Sequence, residues 1–339
     1  MDHLLMLLFM VTGRHPGSSQ RSWSDVQAVK HGQVMLWHDP GTVDKLDFRF
    51  GVGGRELEPR PPFAFLREDR SGTTAKVFVR DARGREWQVR FGPKAGPDTF
   101  SSRLAWTVGY YVEPNYYLRE GVIDGVRDLH RARHYIQPNG QFTNARFQLR
   151  SKHPEFLTDV GWSWDQNPFV GTHQLEGLKI MMMLVSGYDD KDLHQAKTLG
   201  SNTGIYRAGD EYEFFVDDWG RSFGRWGGLL HRSTWNAKDY FRQTPKFVTG
   251  VNNGEVEFAF KGHNTEVMKR GVKVSDVQWL MRYLGRVTDA QIHTGLISCG
   301  APPEEANLFE TALRARIREL DLVARGRSLE QRASATAAR

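Results

Sequence analysis

Four short stretches of this sequence carry residues suited to handling phosphate. In the stretch Tyr188 to His194, Asp189 is followed two residues later by Lys191 and five residues later by His194. A loop carboxylate of this kind can accept the proton of an attacking hydroxyl, and a neighbouring lysine can neutralise charge on a phosphoryl group in transit. In Phe214-Phe215-Val216-Asp217-Asp218-Trp219-Gly220 an apolar strand runs into an acidic turn. Asp218 there offers a hard oxygen to Mg²⁺, the usual companion of a nucleotide's phosphates. His194 is the candidate second metal ligand; imidazole suits Mn²⁺ better than Mg²⁺, which prefers oxygen. Upstream, Ser71-Gly72-Thr73-Thr74-Ala75-Lys76 is a small polar loop opening a strand. Backbone N–H groups at Gly72, Thr73 and Thr74 can approach phosphate oxygens, and Lys76 adds charge. Finally, Arg90 on the return strand and Asp98 in the next helix form a cation–acid pair of the type that positions α- and β-phosphates, and the two are expected to touch.

Read singly, each stretch has a plainer account: a turn before a strand, a surface ion pair, a solvated acidic turn. Their order along the chain favours the joint reading, in which ATP is the nucleotide and a hydroxyl of a protein or small molecule is the acceptor.

The elements that must position these residues are legible in outline. Leu46, Phe48 and Phe50 alternate with charged residues and predict a half-buried strand. Lys76–Arg80 and Glu86–Phe91 predict a hairpin around Asp81-Ala82-Arg83-Gly84. A helix is expected over Thr99–Tyr111, and short strands over 112–150. Leu175, Leu178, Met181, Met182 and Val185 recur at helical spacing, so the methionine run reads as core. Ala196–Leu199 and Glu211–Val216 read as strands around the Gly200-Ser201-Asn202 turn, a hairpin between the two acidic stretches. Thr288 and Gln291 form a capping box, and a long helix over 304–325 stops at Gly326. Strands with one helix come first and mostly helices follow, an α+β layout.

The stretches Pro61–Gly92, Phe100–Leu118, Trp162–Asp192 and Phe214–Arg225 carry a further signal. Through them the chain, from Asp39 to Leu322, resembles a family of uncharacterised bacterial proteins, often bearing signal peptides, with distant HipA-type and lipid-kinase-like relatives. The Asn167–Thr172 and Arg103–Tyr110 segments are the most specific marks of that kinship. The resemblance implies a bilobal protein-kinase-like fold, a sheet-rich N-lobe over 37–150 and a mainly helical C-lobe over 151–326. It also implies Lys at position 90, Glu at 98 and Asn at 194 or 195, where this chain has Arg90, Asp98, His194 and Gln195. Asp189, Lys191, Asp218 and Gly220 match. A kinase-like phosphotransferase with slow or absent turnover and a pseudokinase scaffold both fit this pattern of retention and loss.

Composition limits the remaining possibilities. The chain has 339 residues, a net charge of +6, and 46 basic against 40 acidic residues. The two signs are interspersed, so nucleic acid is not the expected partner, and an anion or nucleic-acid binding module is the weakest of three readings. Cys299 is the single cysteine, which leaves no internal disulfide. The apolar run over residues 4–11 is too short to span a bilayer and lacks a basic residue before it, so export and cytoplasmic residence are equally open. Residues 1–36 read as that segment plus a linker, and 327–339 as a disordered tail.

Overall fold

The computed structural model describes residues 20–70, 74–150, 154–197, 201–228 and 231–329. It is a mixed α and β structure with a sheet-rich part followed by a largely helical part. The first part contains β1 (Arg21–Ser22), α1 (Gln27–His31), β2 (Gln33–Met35), β3 (Phe63–Asp69), β4 (Lys76–Arg80), β5 (Glu86–Phe91), α2 (Ala95–Thr107), β6 (Asn115–Asp124) and β7 (Gln141–Leu149). The second contains β8 (Glu155–Phe156), β9 (Val160–Gly161), α3 (His173–Leu184), β10 (Thr203–Ala208), β11 (Glu211–Val216), α4 (Ala237–Gln243), β12 (Val248–Asn252), β13 (Glu255–Phe258), α5 (Thr265–Lys269), α6 (Val274–Leu284), α7 (Asp289–Ser298) and α8 (Pro303–Ala324).

Strands β3, β4, β5, β7 and β6 close into a barrel, the last contact being a parallel pairing of β6 with β3. Alternation along β5 sends Trp87, Val89 and Phe91 inside, where they meet Phe63, Val77, Val79 and Phe147 in a core of their own. The outward-facing residues at one rung are Lys76 on β4, Arg90 on β5 and Arg146 on β7, consecutive register partners. Three cations side by side repel one another, so this rung requires carboxylates from elsewhere.

A second core is built around α3, whose Met181, Met182 and Met183 are all buried, and it takes in Phe100 and Leu104 of α2. Helix α2 therefore lies between the barrel and the helical part. It begins earlier than the sequence suggests, with Pro97 in its first turn, and stops before Gly109 (φ +98°), where any side chain would collide with the His38 carbonyl oxygen at 2.2 Å. The Asn167–Thr172 segment is the lead-in to α3. Asn167 accepts a hydrogen bond from the Phe169 N–H, and Thr172 caps the helix by accepting from Leu175. Arg316 of α8 donates to the Leu184 carbonyl and Ser186 hydroxyl and lies over the Tyr240 ring, fixing the chain just ahead of Asp189.

One expected strand is absent, and another lies partly outside the described residues. Residues 46–50 form turns, because the Asp47 carboxylate accepts from the Arg49 N–H at 2.7 Å and its carbonyl from the Gly51 N–H at 2.9 Å. Phe48 consequently packs against Phe100 in the second core while Phe50 packs against the barrel, so the alternation does not mark one face. At Ala196 the chain leaves a short 3-10 turn, Leu193–Gln195, and the strand pairing with β11 is Thr203–Ala208; Leu199 and Gly200 lie outside the described residues. The capping box at Thr288 and Gln291 is present, and Gly326 follows α8. No helix among the described residues is long and apolar enough to cross a membrane, and residues 4–11 lie outside them.

Phe48→Ala should lower the unfolding free energy by about 3–5 kcal/mol in a urea titration, because it empties a buried ring site between two elements. A loss below about 1 kcal/mol would mean that Phe48 is not packed against Phe100.

Candidate functional site

The rung of cations on the barrel faces the two acidic stretches of the helical part. Strand β11 ends at Val216, and the next residues turn back toward the barrel. Asp218 accepts from the Gly220 N–H at 2.8 Å. Its other oxygen lies 3.8 Å from Lys94 Nζ and 4.0 Å from Arg90 Nη1. Arg90 Nη2 also lies 3.8 Å from Asp217, and Arg90 Nε donates to Gln88. Burial disfavours the Asp218 charge, but Lys94, Arg90 and the Gly220 N–H outweigh it and hold the carboxyl well below its ordinary range. The same acids raise Arg90 in spite of its burial.

Asp189 is held from three sides. Lys191 Nζ lies 3.2 Å and His263 Nε2 3.4 Å from one oxygen, and Lys94 Nζ lies 3.8 Å from the other. Burial would raise its pKa; the hydrogen bond from His263 and the two lysines lower it. His263 is brought here by the buried Asp190, which accepts from the His263 N–H at 2.5 Å and the Asn264 N–H at 3.2 Å. Burial raises Asp190 to about 7 against those backbone donors. Lys94 thus spans Asp189 and Asp218, and the two carboxylates share one ammonium.

Asp98 does not meet Arg90. Its Oδ2 takes a hydrogen bond from Arg146 at 2.7 Å, and its Oδ1 accepts from the Trp219 N–H at 3.0 Å. Helix α2 packs against β7 rather than β5, so the arginine on β7 reaches it first. Burial pushes Asp98 up to about 6, with Arg146 pulling against it. The expected ion pair is therefore replaced by two: Arg146 with Asp98, and Arg90 with the Asp217–Asp218 turn.

Lys76 lies 3.1 Å from Asp69, and burial together with Arg90 lowers its pKa. Thr74 lines a narrow cavity with Arg90, Lys94, Asp98, Arg146 and Asp218. Gly72 and Thr73 lie outside the described residues. His194 is elsewhere. It is 46% exposed, 3.1 Å from Asp192 and 3.8 Å from Asp165, because Asp192 caps the 3-10 turn that carries it. The residue joining the two acidic stretches is Asn202. Its side-chain amide donates to the Asp189 carbonyl at 2.6 Å, its N–H to the Lys191 carbonyl at 3.0 Å, and its carbonyl accepts from Asp217 at 2.8 Å.

Sequence spacing singled out Lys76, Arg90, Asp189, Lys191 and Asp218 of this cluster and missed Lys94, Arg146, Asn202 and His263. Only Lys94 left a readable trace, as a cation directly after the β5 strand and its Gly92-Pro93 break. The residues of this cleft do not fit the divalent cation expected there, and His194 instead groups with Asp165 and Asp192. His194 cannot serve Asp218, and a dication beside Asp218 would meet Lys94 and Arg90 at the same oxygen.

No family model and no curated protein matches the sequence. Among solved structures the chain is similar to a MAP kinase from Leishmania major, at 10% identity, over 78% of this chain and 82% of that one, with a TM-score of 0.19. Overlap of that size does not show a common fold.

Asp98→Ala should destabilise the protein by about 3–5 kcal/mol, since it strands the buried Arg146, and Arg90→Ala should cost less. Equal losses in chemical denaturation would contradict the partner exchange. Asp218 has a folded-state pKa below the ordinary 3.8, so its contribution is present above that pH and disappears as pH falls through the depressed value. Between about pH 4 and pH 2, stability should therefore fall less steeply in Asp218→Asn than in the wild type. Identical slopes in acid-unfolding curves would show that the carboxyl is not depressed.

Proposed function

We propose that the cleft between the barrel and the helical part binds the phosphates of a nucleotide such as ATP, as in a bilobal protein-kinase-like enzyme. The observation that carries this reading is the meeting of Arg90, Lys94, Asp189, Lys191 and Asp218 in one charge cluster, drawn from the barrel and from two loops of the helical part. Arg90 and Lys94 sit at the barrel side of the narrow cavity, where donors for phosphate oxygens are needed. Asp189 stays ionised at neutral pH and can take the proton of an acceptor hydroxyl, while Lys191 beside it stabilises charge on the transferred group. His263, against the same Asp189 oxygen, holds that carboxylate in place.

One observation favours the second reading, a scaffold that binds nucleotide without turnover. The acid expected to hold a metal, Asp218, already stands beside two side-chain cations, at 3.8 and 4.0 Å. The two readings share the binding step and differ only in transfer.

ATP should raise the melting temperature of the wild type by mass action, by the equivalent of about 2.7 kcal/mol at a hundredfold excess over Kd. In Arg90→Ala the affinity should fall at least about tenfold, as expected for a lost charged hydrogen bond of roughly 1.5–3 kcal/mol. No shift in the wild type, or an undiminished one in Arg90→Ala, would sink the binding proposal. Asp189→Asn should keep the shift and abolish any transfer of the γ-phosphate to serine, threonine or tyrosine hydroxyls; absence of transfer in the wild type as well would select the scaffold.

A further inference from the structure

The misfit between this site and a divalent cation has a positive counterpart in Lys94. We propose that the Lys94 ammonium takes the place of the divalent cation, so that nucleotide phosphates bind here without metal. This rests on the nucleotide reading above and specifies its cofactor requirement.

Three observations carry the proposal. The first is position. Lys94 Nζ lies 3.8 Å from an oxygen of Asp218 and 3.8 Å from an oxygen of Asp189, the point at which one cation can serve both carboxylates. A metal there would have to displace the lysine or sit against it, and like charges at such separations repel strongly where water is scarce. The second is the track that the side chain follows. Lys94 is only 23% exposed on its side chain, and its stem lies over Gly220. A Cβ at position 220 would come within 2.9 Å of Lys94 Cβ, 3.0 Å of Asp218 Oδ1 and 3.2 Å of Lys94 Cδ. Gly220 does not adopt a positive φ, so space rather than backbone conformation is what its lack of a side chain provides. The lysine therefore enters along a prepared groove. The third is bonding capacity. Both contacts are longer than a hydrogen bond, so the ammonium neutralises the acids while its N–H donors point toward no committed acceptor. Arg90 Nη1 stands in the same relation to Asp218, at 4.0 Å. Phosphate oxygens at the mouth of the narrow cavity that Lys94 and Arg90 line would find charge and donors together.

The experiment is calorimetric titration of ATP into the full chain in EDTA, in Mg²⁺ and in Mn²⁺, with Lys94→Glu and Gly220→Ala measured beside it. In the wild type the affinity in EDTA should lie within about threefold of that in either metal. Lys94→Glu should bind at least tenfold more weakly in EDTA and regain at least tenfold on addition of Mg²⁺ or Mn²⁺, because the new carboxylate supplies an oxygen ligand where the ammonium stood. That gain of metal dependence cannot come from misfolding. Gly220→Ala, which crowds the Lys94 stem and the Asp218 carboxylate without changing charge, should also weaken binding in EDTA. A wild type that needs Mg²⁺ or Mn²⁺ for tenfold or more of its affinity would overturn the proposal and leave the nucleotide reading intact. Equal binding by wild type and Lys94→Glu in EDTA would overturn it too. Absence of ATP binding in every buffer, for wild type and variant, would instead remove the nucleotide reading itself.

Discussion

The carboxylate of Asp98 joins the three parts of this molecule that must stay in register. One oxygen is bonded to Arg146 on β7 of the barrel, the other accepts from the Trp219 N–H in the turn after β11, and the residue itself belongs to α2. All three groups are buried. A carboxylate in such a place is expensive to desolvate, and it persists because both oxygens accept from buried donors. Glu113, also buried, stands 4.0 Å from Arg146 as a second acid and receives the Tyr206 hydroxyl of β10, so the barrel and the helical part are tied again close by. The position of the Asp217–Asp218 turn relative to the barrel cations follows from these bonds.

With that position fixed, the rest of the cleft is a problem of charge arrangement. The barrel offers Lys76, Arg90 and Arg146 on neighbouring strands at one rung. Each is answered by a different acid: Asp69, the Asp217–Asp218 turn and Asp98. Lys94 extends the row beyond the end of β5 and carries it across to Asp189 on the far loop. Asp189 is in turn fixed by Asn202 at its carbonyl and by His263 at its carboxylate. The loop bearing His263 is held by Asp190, whose Oδ1 takes both backbone N–H groups of His263 and Asn264. Adjacent aspartates thus divide the work: Asp189 faces the cleft, and Asp190 is buried as the anchor of the loop behind it.

The helical part contributes rigidity. Arg316 has no exposed surface, and burial lowers it to about 10, yet it hydrogen-bonds to the end of α3 and lies among the rings of Tyr240, Trp226 and Phe247. Carbonyls at a helix C-terminus and aromatic faces add their negative potential to that of Glu319. The chain from Ser186 to Asp189 leaves α3 at that point, so the loop that could perform chemistry starts from one of the best-packed places in the molecule.

What the sequence determined by itself is local. The alternation in Glu86–Phe91 gives a strand with one apolar face, the spacing of Leu175, Leu178 and Met181–Met182 gives a buried helix, and Thr288 with Gln291 gives a helix start. The candidate acids Asp189 and Asp218 were also legible, since each lies in a loop directly after an apolar element. These features depend on periods and turn preferences that fit within a dozen residues. Where a turn residue overrode the period, as Asp47 did before Phe48, the local reading failed. Partnership was decided by the tertiary structure alone. Arg90 and Arg146 are register partners on β5 and β7, and the packing of α2 on β7 gives Asp98 to the second. The barrel closes through a parallel pairing of Phe63 and Ala64 with Ile123 and Asp124, which no short window reveals. Lys94, Asn202 and His263 reach Asp189 from three separate segments, and His194, five residues from it in sequence, faces another way. An ion pair is set by where two charges stand in space, and sequence distance does not fix that once the chain has turned.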